Sequence, residues 1–301
     1  MNAPTSTIQT SKAILSPPER SGFEAMTPKG RLRANKWLLL RRLSQFGILA
    51  LFLLGPWANI WIVKGNLTSS LTLNTLPLTD PYVLLQSLAA GHTPYQAALI
   101  GTAIVLAFYL LVGGRVYCSW VCPVNLVTDA AAWMRRHLGL KGGHALDANT
   151  RYWFLAGTLI AAAATHSLAW EWVNTVSLMH RSLFYGFGLG GFILLAIFLY
   201  DLLLATRGWC GHLCPMGAFY SLLGHFALPR VSAVNRNDCN DCMDCFQICP
   251  EPQVIRPALK RVGQQSPIIN AANCTLCGRC IDVCNKNVFK ISHRFIQRSE
   301  S

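Results

Sequence analysis

Four long apolar segments constrain the fold of this chain more than any other feature. They cover residues 45–63, 95–114, 153–170 and 183–204, and each has close to the roughly 17 to 25 apolar residues that a helix needs to cross a bilayer. Charged residues make up 13% of the chain and hydrophobic residues 52%, a balance that is unusual for a soluble globular protein. We therefore predict an α-helical membrane protein with four transmembrane helices.

The distribution of Lys and Arg predicts how these helices are oriented. The stretches before the first segment, between the second and third, and after the fourth carry 8, 5 and 11 of these residues, whereas the remaining loops carry only Lys64 and Arg181. Because such residues mark cytoplasmic loops, both termini are expected to face the cytoplasm of a bacterial inner membrane. The net charge of +13 comes without any nucleic-acid-binding signature, so we attribute it to membrane topology and exclude a nucleic-acid partner.

The second and fourth segments end in the same motif, C-x-x-x-C-P. One copy contains Cys118 and Cys122 and the other Cys210 and Cys214, with an offset of 92 residues for both cysteines. This indicates two duplicated helical hairpins in the same orientation, as in parallel repeats of transporters. Cysteines four residues apart share one face of an α-helix, so the two pairs are expected to converge. Redox-active thiols, ligands of a further cluster and small residues at a helix interface all remain open.

Eight further cysteines form two runs with the spacing C-x-x-C-x-x-C-x-x-x-C. This is the spacing of two-cluster ferredoxins, in which the fourth cysteine of each run binds the cluster of the other run. The predicted ligands are Cys239, Cys242, Cys245 and Cys284 for the first [4Fe-4S] cluster, and Cys274, Cys277, Cys280 and Cys249 for the second. A zinc site needs only pairs of C-x-x-C and would leave the other cysteines unexplained. We predict an α+β two-cluster ferredoxin-like domain over residues 230–301.

From Trp37 onward the sequence resembles the NapH family, the ferredoxin-type membrane component of a quinol-oxidising system that serves periplasmic nitrate reductase. The resemblance extends over loops as well as cysteines and includes the segments WLLLRRLSQF, LTDP, LQSLAAGH, CSWVCP, WEWVN, VSLMHRSL, GWCGHLCPMGA, CMDCFQICPEP and CGRCIDVC. Residues 37–229 then form the membrane domain. Residues 1–36 show no such match, and we expect a flexible basic cytoplasmic extension.

The resemblance implies an oxidoreductase subunit with little activity alone. Its expected partners are a NapG-like periplasmic ferredoxin subunit and a membrane-anchored multihaem cytochrome, with quinol from the membrane pool as the substrate. The alternative is a maturation factor that supplies electrons to a respiratory reductase without turning over quinol. Related families with the paired motif serve nitrous oxide reduction, methylamine use and oxidase assembly.

Quinol oxidation needs groups that accept protons near the headgroup boundary. The candidates are Glu171 and His180, followed by His92 and His166. Tryptophans flank Glu171, as aromatic residues do at the lipid boundary. The competing interpretation of each is a loop residue or a hydrogen-bonded helix end.

The predicted topology can be tested with reporter fusions. A reporter that is active only in the periplasm should be inactive when it is fused after Ser301, and active when it is inserted in the loops at residues 64–94 or 171–182, because the Lys and Arg residues place these loops outside. High activity after Ser301 would contradict the orientation.

Overall fold

The computed structural model describes residues 22–140, 143, 147, 149–260 and 266–295, which are mostly helical with two small antiparallel sheets. The α-helices are α1 Phe23–Lys29, α2 Arg31–Ala34, α3 Lys36–Ala58, α4 Pro81–Ala89, α5 Gln96–Val112, α6 Val124–His137, α7 Thr150–Thr165, α8 Thr175–Tyr185, α9 Leu189–Leu203, α10 Pro215–Leu223, α11 Asp244–Ile248, α12 Ile255–Lys260 and α13 Arg279–Val283. The strands are β1 Val63–Gly65, β2 Ser69–Thr72, β3 Leu76–Thr79, β4 Pro229–Ser232 and β5 Lys290–His293.

Helix α3 begins earlier than the predicted first segment. Asp282 on α13 accepts hydrogen bonds from the backbone N–H groups of Trp37 (3.2 Å) and Leu38 (3.0 Å). A carboxylate at this position satisfies free donors of the first helical turn, so the C-terminal domain caps the helix. Among the described helices, α3 is the one that is long and apolar enough to cross a membrane, whereas α5 and α9 are apolar but shorter.

The predicted fourth segment is not one helix. Helix α8 ends at Tyr185 and α9 begins at Leu189, and Gly186 between them has a φ of 91°, a conformation that glycine adopts without steric cost. The third segment is also shorter than predicted, because His166 with a φ of 50° ends α7. A window that averages hydropathy over about 20 residues does not detect such breaks, so each predicted segment extends past the end of a helix.

The loop predicted between the first two segments is structured. Strands β1, β2 and β3 form an antiparallel sheet, and α4 follows it. Asp80 caps α4 by accepting a hydrogen bond from the Tyr82 N–H (2.9 Å), and the Tyr82 hydroxyl lies 2.6 Å from Thr158 Oγ1 at the midpoint of α7. At the other end, the Ala90 carbonyl lies 3.2 Å from His166 Nδ1. Helix α4 therefore lies along the second half of α7.

The two C-x-x-x-C-P motifs adopt the same irregular conformation. Residues Tyr117–Val121 and Trp209–Leu213 form single π-helical turns, and Cys122 and Cys214 follow in extended backbone. The expectation that each cysteine pair lies on one face of an α-helix is therefore wrong. The equal conformation of the two motifs agrees with the predicted duplication.

In the C-terminal domain, β4 pairs with β5, and the short helices α11 and α13 each contain the third cysteine of one run. The N-terminal helices pack against it. The Gly22 N–H donates to Asp244 Oδ2 (2.9 Å) and Lys29 Nζ donates to the Ile281 carbonyl (2.8 Å). From Gly22 onward the expected flexible extension is therefore folded, and residues 1–21 lie outside the described residues.

Asp129 on α6 joins distant parts of the chain through four arginines. Its carboxylate lies 2.6 Å from Arg42 and from Arg279, 3.3 Å from Arg207 and 3.8 Å from Arg41. Burial raises the pKa of Asp129, but the guanidinium groups outweigh burial and hold this pKa well below its usual range. The ion-pair network ties α3, α6 and the end of α9 to the second cysteine run.

We predict that Asp129→Asn lowers the stability of the folded chain by about 3 to 5 kcal/mol, because buried arginines lose their shared counter-charge. The exposed Asp238 provides a matched control as Asp238→Asn, which should change stability little. Because the pKa of Asp129 is lowered on folding, its contribution is complete above about pH 4 and is lost as the pH falls further. Thermal unfolding at pH 7 measures the difference, and equal melting temperatures for both variants would contradict the prediction.

Candidate functional site

Four cysteines line each of two cavities in the C-terminal domain. The first cavity is lined by Cys239, Cys242, Cys245 and Cys284 among others. The second cavity is lined by Cys249, Cys274, Cys277 and Cys280 among others. In both, three cysteines come from one run and the fourth from the other. The structure thus brings together the two groups of cysteines that the spacing predicts.

The two runs wrap around their cavities with the same backbone conformation. In the first run, Asp241 and Met243 flank the second cysteine with positive φ angles of 58° and 65°. In the second run, Leu276 and Gly278 occupy the same positions with φ angles of 49° and 70°. Gly278 also lies against the Trp37 side chain, where a Cβ atom would clash. The left-handed residues turn the chain so that successive cysteines face one cavity.

The donor set fits an iron–sulfur cubane better than a single metal ion. Among the described residues, no three His, Cys, Asp or Glu side chains lie close enough together to hold one ion. Zinc requires thiolate sulfurs at about 2.3 Å from one centre. A cubane distributes its four thiolate ligands over four iron atoms, which suits cysteines spread around a cavity.

The two C-x-x-x-C-P motifs lie beside this domain and near each other. Cys118, Cys122, Cys210 and Cys214 are partly buried, with no disulfide between them. Burial raises the pKa of all four thiols, to about 12 for Cys214. Arg115, three residues before Cys118, donates a hydrogen bond to the Cys210 carbonyl (3.3 Å). This contact joins the two motifs, and the approach of the four sulfurs to one another stays a prediction.

A buried carboxylate connects these motifs to the second cavity. Glu251 Oε1 accepts hydrogen bonds from Arg115 Nη1 (2.5 Å) and Arg151 Nη1 (2.8 Å). The same arginines donate to motif carbonyls, Arg115 to Cys210 (3.3 Å) and Arg151 to Gly211 (3.2 Å). Burial raises the pKa of Glu251, but the two guanidinium groups outweigh burial and lower this pKa overall. Glu251 therefore carries a charge that joins both parts.

Direct hydrogen bonds attach the first motif to the second cysteine run. Ser119 Oγ donates to the Thr275 carbonyl (2.8 Å) and Trp120 Nε1 donates to the Leu276 carbonyl (3.2 Å). Thr275 and Leu276 lie between the first two cysteines of that run. The second cavity is thus the one that lies against the motifs.

Two of the quinol candidates have local structural roles. Glu171 accepts hydrogen bonds from Asn174 Nδ2 (2.9 Å) and Ser177 Oγ (2.5 Å), which stabilises the first turn of α8. His166 ends α7 and contacts the Ala90 carbonyl. Both arrangements match the competing interpretation of hydrogen-bonded helix ends.

The other two candidates make no hydrogen bond with Glu171 or His166 among the residues that the structure describes. His180 is buried, and its ring packs against Phe52 and Phe184 with centroid distances of 5.5 and 4.4 Å. Outside the membrane helices, His92 is exposed. The structure does not bring the four candidates together in one site.

Sequence reasoning missed the charged residues that connect the domains. Arg115 stands three residues before Cys118, and Arg207 stands three residues before Cys210. This repeated arginine was a usable signal, because it belongs to the duplicated unit. Glu251 directly follows the Cys-Pro end of the first run and carried no comparable pattern.

Comparison with known families finds the duplication again. The family described as "4Fe-4S binding domain" matches residues 96–141 and, a second time, residues 187–232. The family described as "4Fe-4S dicluster domain" matches residues 238–288. Both C-x-x-x-C-P motifs and both cysteine runs fall inside these matches, which together cover just under half of the chain.

Curated relatives match almost the whole length of the chain. Ferredoxin-type protein NapH of Escherichia coli is 48% identical over 93% of this chain and 98% of its own. Methylamine utilization ferredoxin-type protein MauN is 53% identical in Paracoccus denitrificans, over 91% of this chain and 96% of its own, and 51% identical in Methylorubrum extorquens, over 90% and 94%. No solved structure matches. The chain belongs to the family of ferredoxin-type electron-transfer proteins that includes NapH and MauN.

Proposed function

We propose that this chain is a multi-pass inner-membrane protein that takes electrons from quinol and, with a ferredoxin-like partner, passes them toward a periplasmic reductase. One observation carries the proposal. The motif cysteines reach the second cavity through Arg115 and Glu251, and the second cavity shares its two cysteine runs with the first. The two motifs, the second cavity and the first cavity are therefore connected in that order.

The eight cysteines of the two cavities are the proposed ligands of two [4Fe-4S] clusters. When bound, such clusters accept and release one electron at a time, whereas oxidation of one quinol to quinone releases two electrons and two protons. The residues around the second cavity stabilise negative charge. Arg279 lines it directly, and Arg115 and Arg151 neutralise the nearby Glu251.

We assign a further cluster to the four motif cysteines. The hydrogen bond from Arg115 to the Cys210 carbonyl holds the two motifs next to each other beside the second cavity, which supports this assignment. The match of both motifs to a family described as a 4Fe-4S binding domain supports the ligand role.

The membrane location rests on the outer faces of the helices. Phe46 on α3, Phe108 on α5, Ile160 on α7 and Phe192 on α9 are each more than half exposed. Lipid would cover these side chains. We propose that the short helices α5, α7 and α9 cross the hydrocarbon core of the bilayer together with the half-length helices α4 and α8. Broken helices are tolerated in a membrane where other protein segments surround them.

The partners follow from the relatives. The name of MauN refers to methylamine utilization, whereas the resemblance to the NapH family implies a nitrate reductase system with a NapG-like subunit and a multihaem cytochrome. We propose the nitrate system on the resemblance of the loop segments. The membrane chemistry at quinol is the same for both acceptors.

The function is tested by reduction with quinol. The purified full chain in lipid nanodiscs, loaded with iron–sulfur clusters, is mixed without oxygen with decylubiquinol or menadiol, and cluster reduction is followed by electron paramagnetic resonance. We expect reduction by at least one quinol. Clusters that dithionite reduces but neither quinol reduces would favour the maturation factor.

The ligand sets are tested by single substitutions and iron content. Cys249→Ser should remove the signal of the second cluster and leave the first, because Cys249 belongs to the second cavity, and Cys284→Ser should do the opposite. Two cubanes contain about eight iron atoms, and a further cubane at the motifs raises this to about twelve. Loss of the first cluster alone in Cys249→Ser would contradict the exchange of ligands.

A further inference from the structure

An apolar cavity lies between α3, α5 and the β1–β3 sheet, outside both cysteine-lined cavities. Its volume is about 370 Å³, toward the lower end of the range of about 300 to 1,000 Å³ that is typical of small-molecule sites. Ile48, Val105 and Phe108 form parts of its wall, and Asp80 is the one carboxylate among its lining residues. Phe108 is more than half exposed on the outer surface of α5, so this wall borders the face that lipid would cover.

Asp80 lines this cavity and carries an oxygen without a hydrogen-bond partner in the described part of the chain. Only 5% of the residue is exposed to solvent. Oδ1 accepts both hydrogen bonds of the group, from the Tyr82 N–H (2.9 Å) and the Tyr220 hydroxyl (3.2 Å). Oδ2 is buried and has no hydrogen-bond partner among the residues that the structure describes. Oδ1 is therefore occupied by hydrogen bonds within the protein, and Oδ2 is free to accept a hydrogen bond from a ligand.

A group of tyrosines completes the polar end of the cavity. The rings of Tyr117 and Tyr220 are stacked at 4.7 Å, and Tyr109 packs edge-on against both. The Tyr117 hydroxyl is buried without a hydrogen-bond partner in the described part of the chain. Leaving a buried hydroxyl and a carboxylate oxygen unpaired costs about 1 to 3 kcal/mol or more for each group. A polar ligand that binds both would recover this cost.

The cavity lies directly beside the motif cysteines. Tyr117 and Val121 line it, and they immediately precede Cys118 and Cys122 in the sequence. A molecule with its polar end at Tyr117 is therefore adjacent to the first thiols of the electron-transfer series.

We propose that this cavity binds the headgroup of a quinol, with Asp80 Oδ2 as the acceptor for a quinol hydroxyl and Tyr117 as a second polar contact. The inference rests on the proposed function and gives it a location. The apolar walls fit the ring and the prenyl chain. A phospholipid tail fills the same volume but leaves Asp80 Oδ2 unpaired, so a ligand with a hydroxyl donor fits better.

The location differs from the one that the sequence suggests. Phe52 lines the cavity and separates it from His180, whose ring packs on the other side of Phe52. Glu171, His92 and His166 are not among the lining residues. A binding site at Asp80 thus replaces all four sequence candidates as the quinol contact.

The test uses three variants of the full chain in nanodiscs. Asp80→Asn keeps an oxygen that can cap α4, since Asn is as good an N-cap as Asp, but replaces the free oxygen by an NH2 group, which cannot accept a hydrogen bond. Val105→Trp fills the cavity. Ile160→Trp places the same side chain on the exposed face of α7, where Ile160 is 69% exposed, and is the matched control. Dithionite reduction of the clusters verifies that each variant is folded.

We expect Asp80→Asn to raise the half-saturating decylubiquinol concentration about tenfold, which corresponds to the loss of one hydrogen bond. Val105→Trp should abolish reduction by quinol, and Ile160→Trp should behave as the unmodified chain. Unchanged half-saturation in both Asp80→Asn and Val105→Trp would overturn the proposed site while quinol oxidation itself stands.

A direct binding measurement separates the site from the function. An azido-quinone photoprobe should label peptides that contain residues 79–82 or 104–121 in the unmodified chain and in Ile160→Trp, and the label should be lost in Val105→Trp. Labelling of these peptides without any reduction by quinol would retain the site and reject the electron-transfer function. Labelling elsewhere, or none that decylubiquinol competes away, would reject the site.

Discussion

A buried carboxylate shared by two arginines holds the two halves of this protein in register. Glu251 follows the end of the first cysteine run, Arg115 follows α5, and Arg151 begins α7. All three are nearly inaccessible to water, so removal of any one leaves an uncompensated buried charge and costs about 3 to 5 kcal/mol. These ion pairs therefore fix the positions of three parts relative to one another: the second cavity, the first C-x-x-x-C-P motif and the start of α7. Every contact between the thiol groups depends on this placement.

The duplication explains why the C-terminal domain docks at two points. Arg115 and Arg207 occupy the same position in the two repeats, but they meet different acids. Arg115 pairs with Glu251, which the C-terminal domain supplies. Arg207 pairs with Asp129 on α6, and Asp129 in turn pairs with Arg279 of the second cysteine run. The arginine of the first repeat thus pairs directly with Glu251 of the C-terminal domain. The arginine of the second repeat is linked to Arg279 of the domain through Asp129. Both attachments converge on the second cavity.

The sequence predicts the local parts of this arrangement and misses the parts that depend on tertiary packing. The grouping of the eight cysteines follows from their spacing, because short loops around a cubane leave few alternatives, and the duplication follows from the repeated motif. The sequence predicts a loop where the structure has the β1–β3 sheet and α4, because hydropathy windows do not detect short strands and helices that pack against the longer helices. The role of Asp80 escaped for the same reason. The Asp-Pro pair at 80–81 indicates a helix start, but only the packing of Tyr220 and α5 shows that this start is buried.

The positions of the cavities also give the electron path an order and an exit. The second cavity lies against the motifs through Ser119 and Trp120, so it must come between the motifs and the first cavity. Asp241 and Lys260 line the first cavity and form an ion pair whose side chains are 58% and 32% exposed. This rim is open to contact with another protein. In the proposed topology the rim faces the cytoplasm. The cavity at Asp80 is lined by residues of the β1–β3 region and also by Tyr117 and Val121 of the first motif, so the proposed quinol is next to the motifs. The proposed order is therefore the quinol cavity, the motifs, the second cavity and the first cavity, with the exposed rim of the first cavity as the edge where another protein would exchange electrons.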